Sequence, residues 1–488
     1  MKNPSCVAAN MSAHERKGLA ILALTQIAQV TQLSEQQGIS RQFIYRQKHM
    51  AEQAIDQAFT TNKTEVLFHL PVTPAWIDQL ILSLTLICRS SCRGVKELMQ
   101  GMLGVSVSEG TVHNRLQCAA AQAQAINRAQ DLSTIGVGLH DEIFQGSTPV
   151  LAGVDAASTY CYLLAAAEHR DSDTWAIHLF DACKQGFNPK HTIADAGQGL
   201  RAGQKVALPG TPCHGDVFHI AQQCESLANV LARRAKGAVS RCKVLEQEMI
   251  GAKEMGCGNT LSRELALARQ AEQQATRLAR DVRTLVAWLS HDILALAGPD
   301  LAGRRVLFDF IAAELHQREH LDSARIRPVR RALENQRDDL LAFVGVLDAK
   351  LGTIAQSSKV SLDLVRDACL LQRKSALSTS YWKRWNQLRE KLADKFHGVL
   401  DAVVEAMKHI PRASSMVENL NSRLRTYFTL RRQLGTPYLG LLQFFLNHRT
   451  FMRSRCPERV GKSPAQLLTG KAHAHWLELL GFTRFQRA

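Results

Sequence analysis

Four short acidic clusters succeed one another along the chain: Leu139-His140-Asp141-Glu142-Ile143, Ile193-Ala194-Asp195-Ala196-Gly197, Asp216-Val217-Phe218-His219 and Ser414-Ser415-Met416-Val417-Glu418-Asn419. The first three lie in or at the end of short apolar, strand-like runs, and the fourth opens a helix rich in arginine. Carboxylates delivered from strand ends and one helix are the donor set that holds two divalent cations beside a phosphodiester. Asp141, Asp195 and Glu418 are the candidate ligands. Asp141 shares an apolar strand face with Leu139 and Ile143, where a carboxylate is costly unless paired or cation-bound. Asp195 is followed by small residues, which leave room for a phosphate. Around Glu418 the sequence gathers Arg412, Arg423, Arg425, Arg431, Arg432, Arg449, Arg453 and Arg455. Such a field would keep one carboxylate ionised and close to phosphate.

Each acid also has a plainer reading. Asp141 fits a partly exposed edge strand, and Asp195 fits a helix N-cap. Glu418 completes a capping box with Ser415. Asp155 rivals Asp141 as first acid, although its place before Ala156-Ala157-Ser158 suits a turn. Glu142 points to the opposite strand face from Asp141 and reads as a surface residue. Twelve cysteines include no CxxC pair, so they read as free thiols in a reducing cytoplasm rather than as a zinc site.

The elements that must position these acids are legible from periodicity. From Ile135 to Ile143 apolar residues alternate, as in a half-buried strand. Val150–Val154 and Tyr160–Ala167 read as two more strands, joined by turns at Gln145–Pro149 and Asp155–Ser158. Thr174–Gln185 reads as a helix, and His191–Ala194 and Pro212–Val217 as short strands. The 190 or so residues from Ile220 to Ile410 are helical by propensity and spacing, broken at 251–259 and 296–303. A block of that length is an inserted domain, not a loop.

Ahead of this core lie two helix-turn-helix candidates. In the first, Leu33–Gln37 is a short helix, Gly38 turns, and Ser40 caps the helix 41–48. Phe43 and Ile44 pack inward there, while Arg41, Gln42, Tyr45, Arg46 and Lys48 face out. In the second, a helix over 94–103 precedes a turn, and Ser108 caps a helix presenting Thr111, His113, Asn114 and Arg115. These side chains read base edges and hold phosphates. The net charge of +16 agrees with a polyanionic partner. The longest apolar stretch, Trp76 to Cys88, is too short to span a bilayer, so no membrane is expected.

At these residues the chain resembles bacterial insertion-sequence DDE transposases, over roughly residues 135–220 and 411–470. The tail Lys462-Ser463-Pro464-Ala465-Gln466-Leu467-Leu468-Thr469-Gly470 is similar to the end of many such enzymes. Asp216-x-x-His219 is similar to the D-x-x-H element of hAT- and Mutator-like transposases, which also carry a helical insertion before the final Glu. The resemblance implies an RNase H-like core and two Mg²⁺ or Mn²⁺ ions on Asp141, Asp195 and Glu418, with Asp216 and His219 as supporting groups. It also implies binding of double-stranded DNA at terminal inverted repeats and in the target, through Arg423, Arg425, Arg431 and Arg432 besides the N-terminal helices. A homodimer or higher oligomer on DNA, in the bacterial cytoplasm, goes with it. Trp288, Trp382 and Trp385 are either core residues or stacking platforms for a base.

The expected fold is therefore multidomain α and α/β. It comprises helix-turn-helix domains at 1–65 and 66–132, an RNase H-like α/β core at 133–220 and 411–460, a helical insertion at 221–410 and a tail at 461–488. A nuclease or resolvase without strand transfer, or a DNA-binding regulator with an inactive core, are the alternatives in function.

Overall fold

The computed structural model describes residues 8–59, 70–254, 259–412, 415–430, 435–454 and 456–485. Two compact units are present, residues 1–72 with 485–488, and residues 73–484.

In the first unit, α1 (Ala13–Leu24), α2 (Val30–Gln37) and α3 (Arg41–Phe59) enclose a small core. Ser12 and Glu15 cap α1 reciprocally. Gly38 takes the left-handed conformation (φ +63°) that ends α2, and the chain re-enters the core at Ile39. Leu33, Ile39 and Ile44 close on Leu19 and Ala23. Both helices of this pair run longer than the sequence suggests, from Val30 and through to Phe59. Arg41, Gln42, Tyr45 and Arg46 are exposed on α3, and Lys48 is half-buried.

The second unit is mostly helical around one five-stranded sheet. Three helices lead in: α4 (Pro74–Leu86), α5 (Cys92–Leu103) and α6 (Glu109–Ala129). Ser91 and Ser108 cap the last two, and Gly104 (φ +65°) ends α5. Then come β1 (Val137–Gln145), β2 (Thr148–Asp155), β3 (Cys161–Ala166), α7 (Ser172–Lys184), β4 (His191–Ala194), α8 (Gln198–Ala207) and β5 (Cys213–Gly215). The sheet order is β3-β2-β1-β4-β5; the first three strands form an antiparallel meander, and β4 and β5 run parallel to β1. The fold is thus multidomain α and α/β.

Alternation along the strands gives the sheet two buried faces. His140, Leu151, Tyr162 and Ala194 face α7 and α8, with Trp175 and Phe187 filling the layer. This layer is tight: a Cβ on Gly199 would collide with the Arg170 carbonyl oxygen, so α8 meets the start of α7 backbone to backbone.

The insertion begins with no loop. Immediately after β5 and Asp216 starts α9 (Val217–Glu254), followed by α10 (Asn259–Trp288), a π-helical turn (Leu289–Ile293), α11 (Leu301–Arg318), α12 (Ser323–Ser358), α13 (Leu362–Leu371), α14 (Thr379–Leu392) and α15 (Phe396–Lys408). These helices share a core of their own, among them Leu231, Val282, Phe308, Leu340 and Val403. Breaks at Glu319–Asp322, around Val360 and at Gln372–Ser378 divide what reads in sequence as continuous helix. By length and composition α12 is apolar enough to cross a membrane, but its apolar residues supply this core. Of the tryptophans, Trp288 and Trp382 are about half exposed, and Trp385 packs edge-on against Phe396.

The Val217 N–H donates to the Arg412 carbonyl at 3.1 Å, so the two ends of the insertion meet. The chain then returns as α16 (Ser415–Leu430), α17 (Thr436–His448), α18 (Pro464–Thr469) and α19 (Trp476–Leu479). The other sheet face, with Leu139, Ile143, Val154 and Ile193, buries against α16 and α17. Asn447 on α17 both accepts from the Cys161 N–H and donates to its carbonyl, each at 2.8 Å, which pins that helix to β3. The helices α4–α6 join the same core, and Asn127 on α6 donates to the Gly440 carbonyl.

Candidate metal centre

Three adjacent parallel strands deliver three aspartates in a row. Leu139 is level with Ile193, and Ala194 with Gly215. Carried on along the strands, that register sets Asp141, Asp195 and Asp216 side by side on the face turned to α16. Parallel strands share one direction, so their ends and the helices that follow open at one edge. There α9 contributes His219 in its first turn, three residues after Asp216, and α16 contributes Glu418 from its own first turn.

These groups converge. His219 Nε2 lies 3.6 Å from Glu418 Oε1, 3.7 Å from Asp216 Oδ2 and 3.9 Å from Asp141 Oδ1. It makes no hydrogen bond among the described residues and is shielded from solvent. One ligand atom each from Asp141, His219 and Glu418 falls within 4.8 Å of the others. Burial pushes the Asp141 carboxyl up to about 6, and the charges of Glu418 and Asp195 add to the rise against the pull of the Glu142 N–H and His219. A buried carboxylate whose pKa is raised by desolvation and by neighbouring carboxylates, beside an orphaned imidazole nitrogen, is relieved by a cation. Two carboxylates and an imidazole fit a divalent first-row metal or, for the oxygens, Mg²⁺.

Asp195 stands beside this trio, outside its 4.8 Å grouping but close enough to act on the Asp141 charge. Its Oδ1 accepts from the Gly197 N–H at 2.9 Å, and Arg201 on α8 holds its backbone carbonyl. Asp216 is buried and its Oδ1 accepts from the Phe218 N–H at 2.7 Å, which caps α9 and aims His219. Asp155 is spent elsewhere: its Oδ2 takes the Ser158 N–H and hydroxyl at 2.7 and 2.6 Å, forming the turn after β2. The capping-box reading of Glu418 rests on the Ser415 side chain, which lies outside the described residues.

Two readings from sequence need correction. Glu142 is not a surface residue; it points under the sheet, where it accepts from the Trp175 indole at 3.0 Å and pairs with Arg170 at 3.4 Å. Among the described residues the arginines do not crowd Glu418. Arg425 comes within 4.0 Å of it, but Arg412 donates to the Leu294 carbonyl, and Arg423, Arg449 and Arg453 line a cleft that Glu418 does not reach. Arg431, Arg432 and Arg455 lie outside the described residues. The reason is helical geometry: at 100° per residue, proximity in sequence scatters side chains around the axis.

One member of the site escaped the sequence. Asn421 is buried, and its Nδ2 donates to Asp141 Oδ2 at 2.7 Å. Its spacing of three from Glu418 is the signal, since i and i+3 share a helix face.

On the N-terminal side, Thr111, His113, Asn114 and Arg115 are exposed on α6, with Arg115 paired to Asp78 at 3.0 Å. No protein-family model and no curated relative matches the chain.

Proposed function

We propose that the chain is a DDE transposase with an RNase H-like core. The observation that carries the reading is the meeting of Asp141, His219 and Glu418, drawn from a central strand and from the two helices that begin and follow the insertion, beside Asp195. The strand order, with an antiparallel meander followed by two parallel strands, supports the same reading.

In this proposal Asp141, Glu418 and His219 would hold one Mg²⁺ or Mn²⁺, and Asp195, level with Asp141, would help to hold a second. Such cations would supply Lewis-acid chemistry toward an attacking water or 3′-hydroxyl and a leaving oxygen. Asn421 keeps one Asp141 oxygen oriented, and Asp216 keeps the His219 ring turned inward. The exposed residues Arg41, Gln42, Tyr45 and Arg46, with Thr111, His113 and Asn114, bind the terminal inverted repeats. One chain carries one acid set, so two ends require two chains, in a symmetric oligomer on DNA.

The test is to incubate the full chain with labelled element ends, target DNA and Mg²⁺, and to look for joined products. Glu418→Gln and Asp141→Asn are expected to abolish cleavage and joining while leaving end binding unchanged. Cleavage without joining would make the chain a nuclease or resolvase. End binding with no cleavage by the wild type would make it a DNA-binding regulator. Full activity in Glu418→Gln would overturn the site.

A further inference from the structure

A cleft of about 780 Å³ opens on the side of α16 turned away from Glu418. Asn419 and Arg423 look into it, on the helix face opposite Glu418 and Asn421. Its other walls are the start of β3 and the segment after α17. That segment is pinned in place, since the Phe451 N–H donates to the Lys462 carbonyl and the Gly461 N–H to the Phe451 carbonyl, at 2.8 and 2.9 Å.

Four guanidinium groups line the space: Arg423, Arg449, Arg453 and Arg459. Among the described residues no Asp or Glu lines it. Arg459 is held by the Ala157 carbonyl at 2.9 Å, and Arg449 lies over the Phe445 ring at 5.6 Å. Arg423 is half-buried, and burial pulls its guanidinium below the usual arginine range. Four like charges assembled in one concavity, without a counter-charge in its wall, repel one another until an anion enters.

We propose that this cleft is a second nucleic-acid site, which takes the phosphodiester backbone of an unpaired DNA strand. The donors are arginines, whose planar fork matches phosphate oxygens two at a time. Phe451 supplies a ring on which a base can stack, the usual companion of a basic groove in single-strand binding. The cavity has the volume of a small-molecule pocket, which suits a single nucleotide. The proposal stands on the lining of the cleft and holds whether or not the carboxylates cut DNA.

The experiment measures fluorescence anisotropy of a labelled oligothymidylate with the full chain in EDTA, which removes any metal-dependent chemistry. A labelled duplex and inorganic polyphosphate serve as competitors. Arg453→Glu changes an exposed residue; the Arg423→Gln/Arg449→Gln pair probes the interior. Each variant is expected to bind oligothymidylate about tenfold or more weakly, and to show a salt dependence shallower by about 0.7 per lost phosphate contact. Duplex affinity should stay unchanged, which also reports an intact fold. Unaltered oligothymidylate binding in Arg453→Glu and the double variant would overturn the proposal. So would equal losses for duplex and single strand, or polyphosphate competing as well as the oligonucleotide per phosphate.

Discussion

Asp141 is the residue on which the site turns, and its position is costly. It is 5% exposed, and beside it stand Glu418 and the charge of Asp195. Its partners are two donors, the Glu142 N–H and Asn421 Nδ2, which satisfy it without neutralising it. Asp141→Asn should therefore raise stability in metal-free buffer by about 0.5–2 kcal/mol, as substitutions that relieve a strained functional site commonly do. The new amide keeps a partner, because Asn421 Oδ1 is buried without one and its amide can turn over. Denaturant melts in EDTA check this, and a loss of stability would mean that the carboxylate is already compensated. Asn421→Leu tests the other side of the bond. Asp141 Oδ2 would lose a buried donor, at a cost of about 1–3 kcal/mol. Mn²⁺ titration should show weaker binding in the same variant, whereas an unchanged melt and affinity would leave Asn421 a packing residue.

Among the elements, the π-helical turn at Leu289–Ile293 and the segment after it are held by two arginines. Arg304 on α11 is fully buried and donates to the carbonyls of Ile293, Ala295, Leu296 and Pro299. Among the described residues no carboxylate hydrogen-bonds to it, and burial lowers its pKa to about 10 against the pull of the Asp348 charge. The carbonyls it satisfies are those of the last residue of the π-turn and of the segment that leads on to α11. Arg412, at the exit of the insertion, donates to the Leu294 carbonyl just after that turn. Arg304→Met keeps much of the volume and removes the donors, so several carbonyls go unpaired at about 1–3 kcal/mol each. The expected outcome is early melting of the insertion, followed by loss of hydrogen-exchange protection at Val217 and His219, whose helix shares that core. Protection equal to wild type around residues 289–304 would show that water replaces the arginine without cost.

For the whole molecule, buried histidines set the response to acid. His448 on α17 is 6% exposed, donates its Nδ1 proton to the Phe444 carbonyl, and faces the ring of His473. Burial pushes its pKa down to about 4. Neutral in the folded chain and protonated in the unfolded one, it contributes stability that is full above pH 6.5 and is lost as pH falls toward 4. Between pH 6.5 and 5 the loss is about 2 kcal/mol. His191, stacked on His214 and also lowered to about 4, acts in the same direction. Thermal melts over this range should fall with acidification, and His448→Gln should flatten the slope. A slope unchanged in that variant would assign the acid sensitivity to other groups.

The change of period at Ile135, the turn at Asp155–Ser158, the Ser108 cap and the long helical block are all legible in the chain, because they arise from side chains a few residues apart. The same local logic supplied Asp141, Asp195 and Glu418 as candidates. What periodicity could not decide is which of them meet. His219 joins Asp141 and Glu418 because β5 runs directly into α9 and the insertion ends beside its own beginning, a closure made by contacts far apart in sequence. The arginines around Glu418 were visible, but their side was not: the rotation of α16 turns Glu418 and Asn421 to the sheet and sends Arg423 into the opposite cleft. That rotation is set by what α16 buries, Val417, Leu420 and Leu424 against the sheet and its neighbouring helices, so it belongs to the tertiary structure alone.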